Sequence, residues 1–168
     1  MDYEAFVRLA LDLGAQNAVV FETKDIEFDS RTLLKCMYGC KSWGKNPTCP
    51  SREGSLRPWE YEMIFRKYQG GIIIHCPDKK LSQNISFEVE RQAFFQGFYF
   101  ALSLSDCDLC PECAGLKGLD CRNPVKARPS FHSVGIDVFK TVRKFSLPID
   151  THEEKGETLN WYSAVFIE

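Results

Sequence analysis

The sequence predicts an α/β (or α+β) fold, with a single sheet of about four strands, helices packed on it, and two cysteine-rich metal-binding loops at one end. Three observations lead there. Short runs such as "NAVVFET" and "GGIIIHC" are β-branched or aromatic and of strand length. The stretches between and after them repeat apolar residues at helical spacing. Seven of the eight cysteines fall in two segments broken by glycine and proline, which neither helices nor strands tolerate well.

In chain order, Phe6, Leu9, Ala10 and Leu13 lie on one helical face and Gly14 stops the pattern, so a helix is expected over Asp2 to Leu13. A strand follows over Asn17 to Thr23, and a second over Gly70 to Cys76, opened by two glycines and closed by Pro77. Between them "RPWEYEMIFRKYQ" reads as a helix with Trp59, Met63 and Tyr68 along one face. Phe87, Arg91, Phe94, Phe95, Phe98, Ala101 and Leu102 fit a long helix from Ser86, its expected cap, to about Leu104. The aromatics Phe94, Phe95, Phe98, Tyr99 and Phe100 cover most of its circumference, the mark of a buried helix. A further helix is expected over "SFHSVGIDVFKTVRKF", capped by Ser130, with Val134, Val138 and Val142 spaced by four. The last two strands are "FSLPID" and "LNWYSAVFIE", joined by the charged loop "THEEKGET".

A chain of 168 residues buries a core without cross-links, and no linker or repeat divides it, so residues 1–168 are read as one domain. The N-terminal stretch is acidic and lacks the order of a signal peptide. "AFFQGFYFALSL" is too short to cross a bilayer. A cytoplasmic protein off the membrane is expected, in a compartment that keeps thiols reduced. A net charge of −2 and the lack of a basic stripe argue against nucleic acid as a partner.

Cys107, Cys110 and Cys113 follow C-x2-C-x2-C, and Cys121 comes after seven more residues. At that spacing successive thiolates on an irregular loop converge on one metal centre, and Gly115 and Gly118 let the backbone wrap it. Zinc usually takes two separated C-x2-C knuckles; a tight run of three favours iron and sulfide. Cys36, Cys40 and Cys49, spaced C-x3-C-x8-C, supply three thiolates and leave a fourth position open, as in reactive metal sites. The fourth ligand is left among Cys76, His75, a later cysteine, water or a substrate. Cys76 sits in an apolar strand and reads as a core residue.

The order "CKSWGKNPTCPS", then "ERQAFFQGFYFALSL", then "CDLCPEC" and "CRNPVKARPSFHSVGIDVFKTVRK" resembles the uncharacterised family of cysteine-rich predicted metal-binding proteins common in anaerobic microbes. The resemblance runs from about Cys36 to the C-terminal strand. It implies a metal site of iron–sulfur type at Cys107, Cys110, Cys113 and Cys121 and a second at Cys36, Cys40 and Cys49. It implies no particular reaction.

Asp106, Asp108, Glu112 and Asp120 surround the later cysteines and would lower a cluster's potential. Arg122 and Arg128 either oppose them or grip a small anion, a carboxylate or phosphate, near the metal. His75 and His132 are readable as ligands but more often are structural, and His152 falls in a charged loop. Three functions follow. The first is a protein holding one or two 4Fe–4S clusters that exchanges electrons with a redox partner protein in anaerobic metabolism. The second is a cluster-dependent enzyme with an open iron at Cys36, Cys40 and Cys49. The third is a structural zinc module.

Overall fold

The computed structural model describes residues 3–149 and 159–168. Its centre is an antiparallel sheet in the order β1-β2-β4-β3, with β1 at Asn17–Glu22, β2 at Gly70–Cys76, β3 at Leu102–Leu104 and β4 at Trp161–Ile167. Every residue of β2 is buried, since it is covered by strands at both edges and by helices on both faces. Ile73 sits opposite Val19 of β1 and Ala164 of β4, which sets the register of the sheet. The strand opens on glycine for a reason: a Cβ on Gly71 would lie 1.9 Å from the Val165 carbonyl oxygen.

Alternation along the strands sends their side chains into two cores. Ile72, Ile74, Cys76, Val165 and Ile167 face helices α1 (Glu4–Asp12) and α4 (Lys79–Phe95). Phe21, Ile73, Tyr162, Ala164 and Phe166 face Phe65 of α3 (Pro58–Phe65) and Val142 of α5 (Val138–Lys144), with Phe131, Val134 and Ile136 between them. Burying each Val, Ile or Phe side chain among these contributes about 1.5–3 kcal/mol, so the sheet fixes where its attached loops emerge. Helix α2 (Thr32–Gly39) packs against the 3₁₀ turn His132–Val134.

The expected class and sheet of four strands are present, but several elements differ. Asp78, whose carboxylate accepts from the Leu81 N–H at 2.7 Å, caps α4, and Ser86 lies buried inside it. The helix ends at Phe95, Gly97 adopts a positive φ of 97°, and Leu102–Leu104 becomes a strand. Phe94, Phe95, Tyr99 and Phe100 are exposed; of the aromatics in this stretch only Phe98 packs on the core. Trp59 and Met63 also face solvent, because Pro58 and Phe65 supply the buried side of α3 and Tyr68 lies past its end. Gly135, at φ 89°, breaks the expected helix from Ser130, and Asp137 caps α5 instead; Val134, Val138 and Val142 still meet the same core. Residues 145–149 form no strand; the Tyr162 hydroxyl donates to the Pro148 carbonyl there. The loop "THEEKGET" and His152 lie outside the described residues. No helix among the described residues is long and apolar enough to cross a membrane.

A polar clamp joins α4 to the segment that carries the later cysteines. Glu90 Oε2 accepts from the Ser103 N–H at 2.6 Å and from the Ser103 hydroxyl at 2.5 Å. The same carboxylate takes Arg128 Nε at 2.9 Å and Arg128 Nη2 at 2.5 Å. The Ser105 N–H donates to the Pro129 carbonyl at 3.0 Å, closing the neck of the loop. Both side chains of the pair are about 15% exposed, so removing one partner strands the other in a poorly solvated place. Glu90→Ala is expected to lower stability by about 3 kcal/mol in denaturant unfolding, with part of that loss recovered in the Glu90→Ala, Arg128→Ala double variant. An unchanged unfolding midpoint would contradict the clamp.

Candidate metal centre

Cys36 lies on α2 and Cys40 caps the helix end, its N–H returning to the Cys36 carbonyl at 3.3 Å. This i, i+4 spacing places both thiols near one side of the helix terminus. The chain then runs through turns stabilised by Asn46, whose Oδ1 accepts from the Thr48 N–H and hydroxyl at 3.0 and 2.9 Å, and returns Cys49 beside them. Cys49 is buried, its Sγ 3.0 Å from the Ser51 hydroxyl. Cys36, Cys40, Cys49, Asp106 and His132 share the wall of an open cavity of about 740 Å³. Burial, and then the neighbouring Cys40, Cys49 and Asp106, pushes the Cys36 thiol up to about 11. Crowded acidic groups of this kind repel one another when ionised, and a bound cation relieves that repulsion and releases their protons.

Cys107, Cys110, Cys113 and Cys121 line an adjoining cavity of about 290 Å³. Two of these sulfurs already receive donors: Asn123 Nδ2 reaches Cys110 Sγ at 3.1 Å and the Asn123 N–H reaches Cys121 Sγ at 3.4 Å. Gln83, buried on α4, accepts the Asp108 N–H at 2.7 Å and so anchors the loop from the helix side. The two loops touch, since a Cβ on Gly115 would lie 2.5 Å from the Lys45 carbonyl oxygen and 2.9 Å from Pro47 Cδ. Cys107 borders both cavities.

All eight cysteines are free of disulfides. In donor chemistry the seven clustered thiols suit a soft metal or an iron–sulfur group. They stand around cavity walls: among the described residues no three of His, Cys, Asp and Glu are gathered closely enough to hold one metal ion. Cys76 lies in the core with its thiol raised to about 11, chiefly by burial. His75 is structural, held between Asn17 Nδ2 at 2.9 Å and Asn160 Oδ1 at 2.8 Å and stacked on Tyr162. His132 lines the larger cavity, and burial lowers its basicity despite Asp106 and Asp137. Asp106 is raised by burial against the pull of Lys79 and His132.

The arginines separate. Arg122 is exposed on the rim of the smaller cavity. Arg128 gives its donors to Glu90 and to the Val125 and Ala127 carbonyls and lies over the Phe87 ring, so it serves the clamp. Asn123 was findable from its place two residues after Cys121. Gln83 and Glu90 carried only a faint signal, two polar residues seven apart on one helical face.

A sequence model of the family described as "Predicted metal-binding protein (DUF2284)" matches residues 19–167. No curated protein and no solved structure matches the chain. Because Gly115 is where the two loops meet, Gly115→Ala is expected to push them apart and to lower the metal content of anaerobically purified protein by about half or more, with far-ultraviolet dichroism unchanged. Full metal content would show that the contact does not shape the centre.

Proposed function

The chain belongs to this family of predicted metal-binding proteins, and from that premise we propose that it is a cytoplasmic iron–sulfur protein that exchanges electrons with a redox partner protein, in anaerobic metabolism. One cluster of 4Fe–4S type is assigned to Cys107, Cys110, Cys113 and Cys121, and a second to Cys36, Cys40 and Cys49. The observation that carries the reading is the placement of seven free thiols around two adjoining cavities that share Cys107. A single zinc at Zn–S distances of about 2.3 Å draws four thiolates to about 4 Å from one another, whereas a cluster of metal and sulfide occupies a cavity and takes thiolates from its walls.

The surroundings suit redox tuning. Hydrogen bonds from Asn123 to Cys110 and Cys121 withdraw charge from sulfur and raise a potential, while Asp106, Asp108 and Asp120 nearby lower it. Glu112 is offset by Lys117 at 2.8 Å. A cluster-dependent enzyme is the second reading, favoured by one feature: the cavity of about 740 Å³ beside the three early thiols leaves room for a small molecule, with Lys35, Lys41 and Lys79 on its wall to attract an anion.

Protein purified without oxygen is expected to be brown, to contain about eight irons and about eight sulfides per chain, and to bleach with dithionite. About four of each would leave the early cysteines without a cluster. Stoichiometric zinc without sulfide would overturn the reading.

A further inference from the structure

We propose that Asp106 is the fourth ligand of the early cysteine site, its carboxylate holding the one iron that Cys36, Cys40 and Cys49 leave without a thiolate. The assignment rests on the iron–sulfur reading above. The first ground is position: Asp106 shares a cavity wall with all three early cysteines, although it comes from the other loop. The second is fixation. Ser105 before it is buried and tied to Pro129, and Asp108 after it is tied to buried Gln83, so the backbone on both sides of Asp106 is anchored. The third is that its carboxylate, half-buried beside Cys36, makes no hydrogen bond and no ion pair among the described residues. Lys79 and His132 favour its charged form from across the same cavity without bonding it, so its oxygens are left to accept a cation.

The other candidates fit less well. Cys76 and His75 are committed elsewhere, as described. Cys107 belongs to the C-x2-C-x2-C run. His132 reaches the same cavity from the 3₁₀ turn and is the ligand that competes with Asp106. An oxygen ligand on one corner of a thiolate-bound cluster makes that iron the exchangeable one, because carboxylate is the harder and weaker donor for it.

The test uses the whole chain, purified without oxygen and titrated with ferricyanide while iron release and electron paramagnetic resonance are followed. Oxidation removes one electron from a 4Fe–4S cluster in its 2+ state and expels the corner iron as Fe(II), leaving a three-iron cluster in the 1+ state; ferricyanide takes the electron and becomes ferrocyanide. In the wild type about one of eight irons is expected to leave as the three-iron signal appears. Asp106→Cys supplies a thiolate, and the signal is expected to fall about tenfold or more under the same oxidant. Asp106→Asn is expected to emerge already about one iron short, and Asp106→Glu to behave as wild type. Asp106→Asn and Asp106→Cys both matching an iron-replete wild type would overturn the ligand assignment alone, as would His132→Gln giving the iron-short form instead. Wild type without iron and sulfide would overturn the parent reading, and that result is read from metal analysis before any variant is made.

Discussion

Glu90 is the residue on which the arrangement of the cysteines depends. Its carboxylate binds Ser103 at the entrance to the later cysteine loop and Arg128 at the exit, and it does so from α4, a helix locked against β2 and β4. The backbone bond from Ser105 to Pro129 closes the same neck. A long irregular loop has a large ensemble of open states, and most of the entropy of closing it is lost once its ends are held together. With the neck fixed and Gln83 gripping Asp108 from the same helix, the four later thiols are confined to a small volume before any metal arrives.

The early cysteines reach that volume by a different route. Their loop is anchored by α2 against the turn His132–Val134, and this turn follows directly on the exit of the later loop. One piece of chain, Arg128 to Val134, therefore holds the clamp at one end and the wall of the larger cavity at the other. The contact at Gly115 completes the arrangement, since only a residue without a side chain lets the Lys45 carbonyl and the Pro47 ring come so near.

The sheet was legible where sequence and burial agree. β2 is a β-branched run with glycines before it and proline after it, and nothing else competes for those residues. α4 was misplaced because its true first turns carry Lys79, Lys80, Ser82 and Gln83, which look like surface, while the aromatics after Phe95 extend an apolar rhythm past the helix end. Ser82 is buried because its hydroxyl meets that of Ser163 on β4 at 2.9 Å, a pairing across the fold that periodicity does not carry. Leu102–Leu104 became a strand for the same reason: its partner is the last strand of the chain, and "FSLPID" took its place in the reading. The cysteine spacings named all the thiols that line the two cavities, yet the residues that hold those loops in place, Glu90 and Gln83, are separated from them in sequence and carry no motif.

The division of donors between the loops follows from that architecture. The later loop is closed on itself, so its four thiols can come from one stretch of chain. The early loop lines its cavity with three thiols, and Asp106 lines the same cavity from the later loop. A fourth cysteine there would add another soft, polarisable sulfur to a crowded set of thiols and hold every corner of a bound cluster alike. A carboxylate in that position would introduce one hard donor instead, next to Cys107, which faces the neighbouring cavity. Asp106 and Cys107 are consecutive residues on a segment anchored at Ser105 and Asp108, so the walls of the two cavities meet at a single peptide bond.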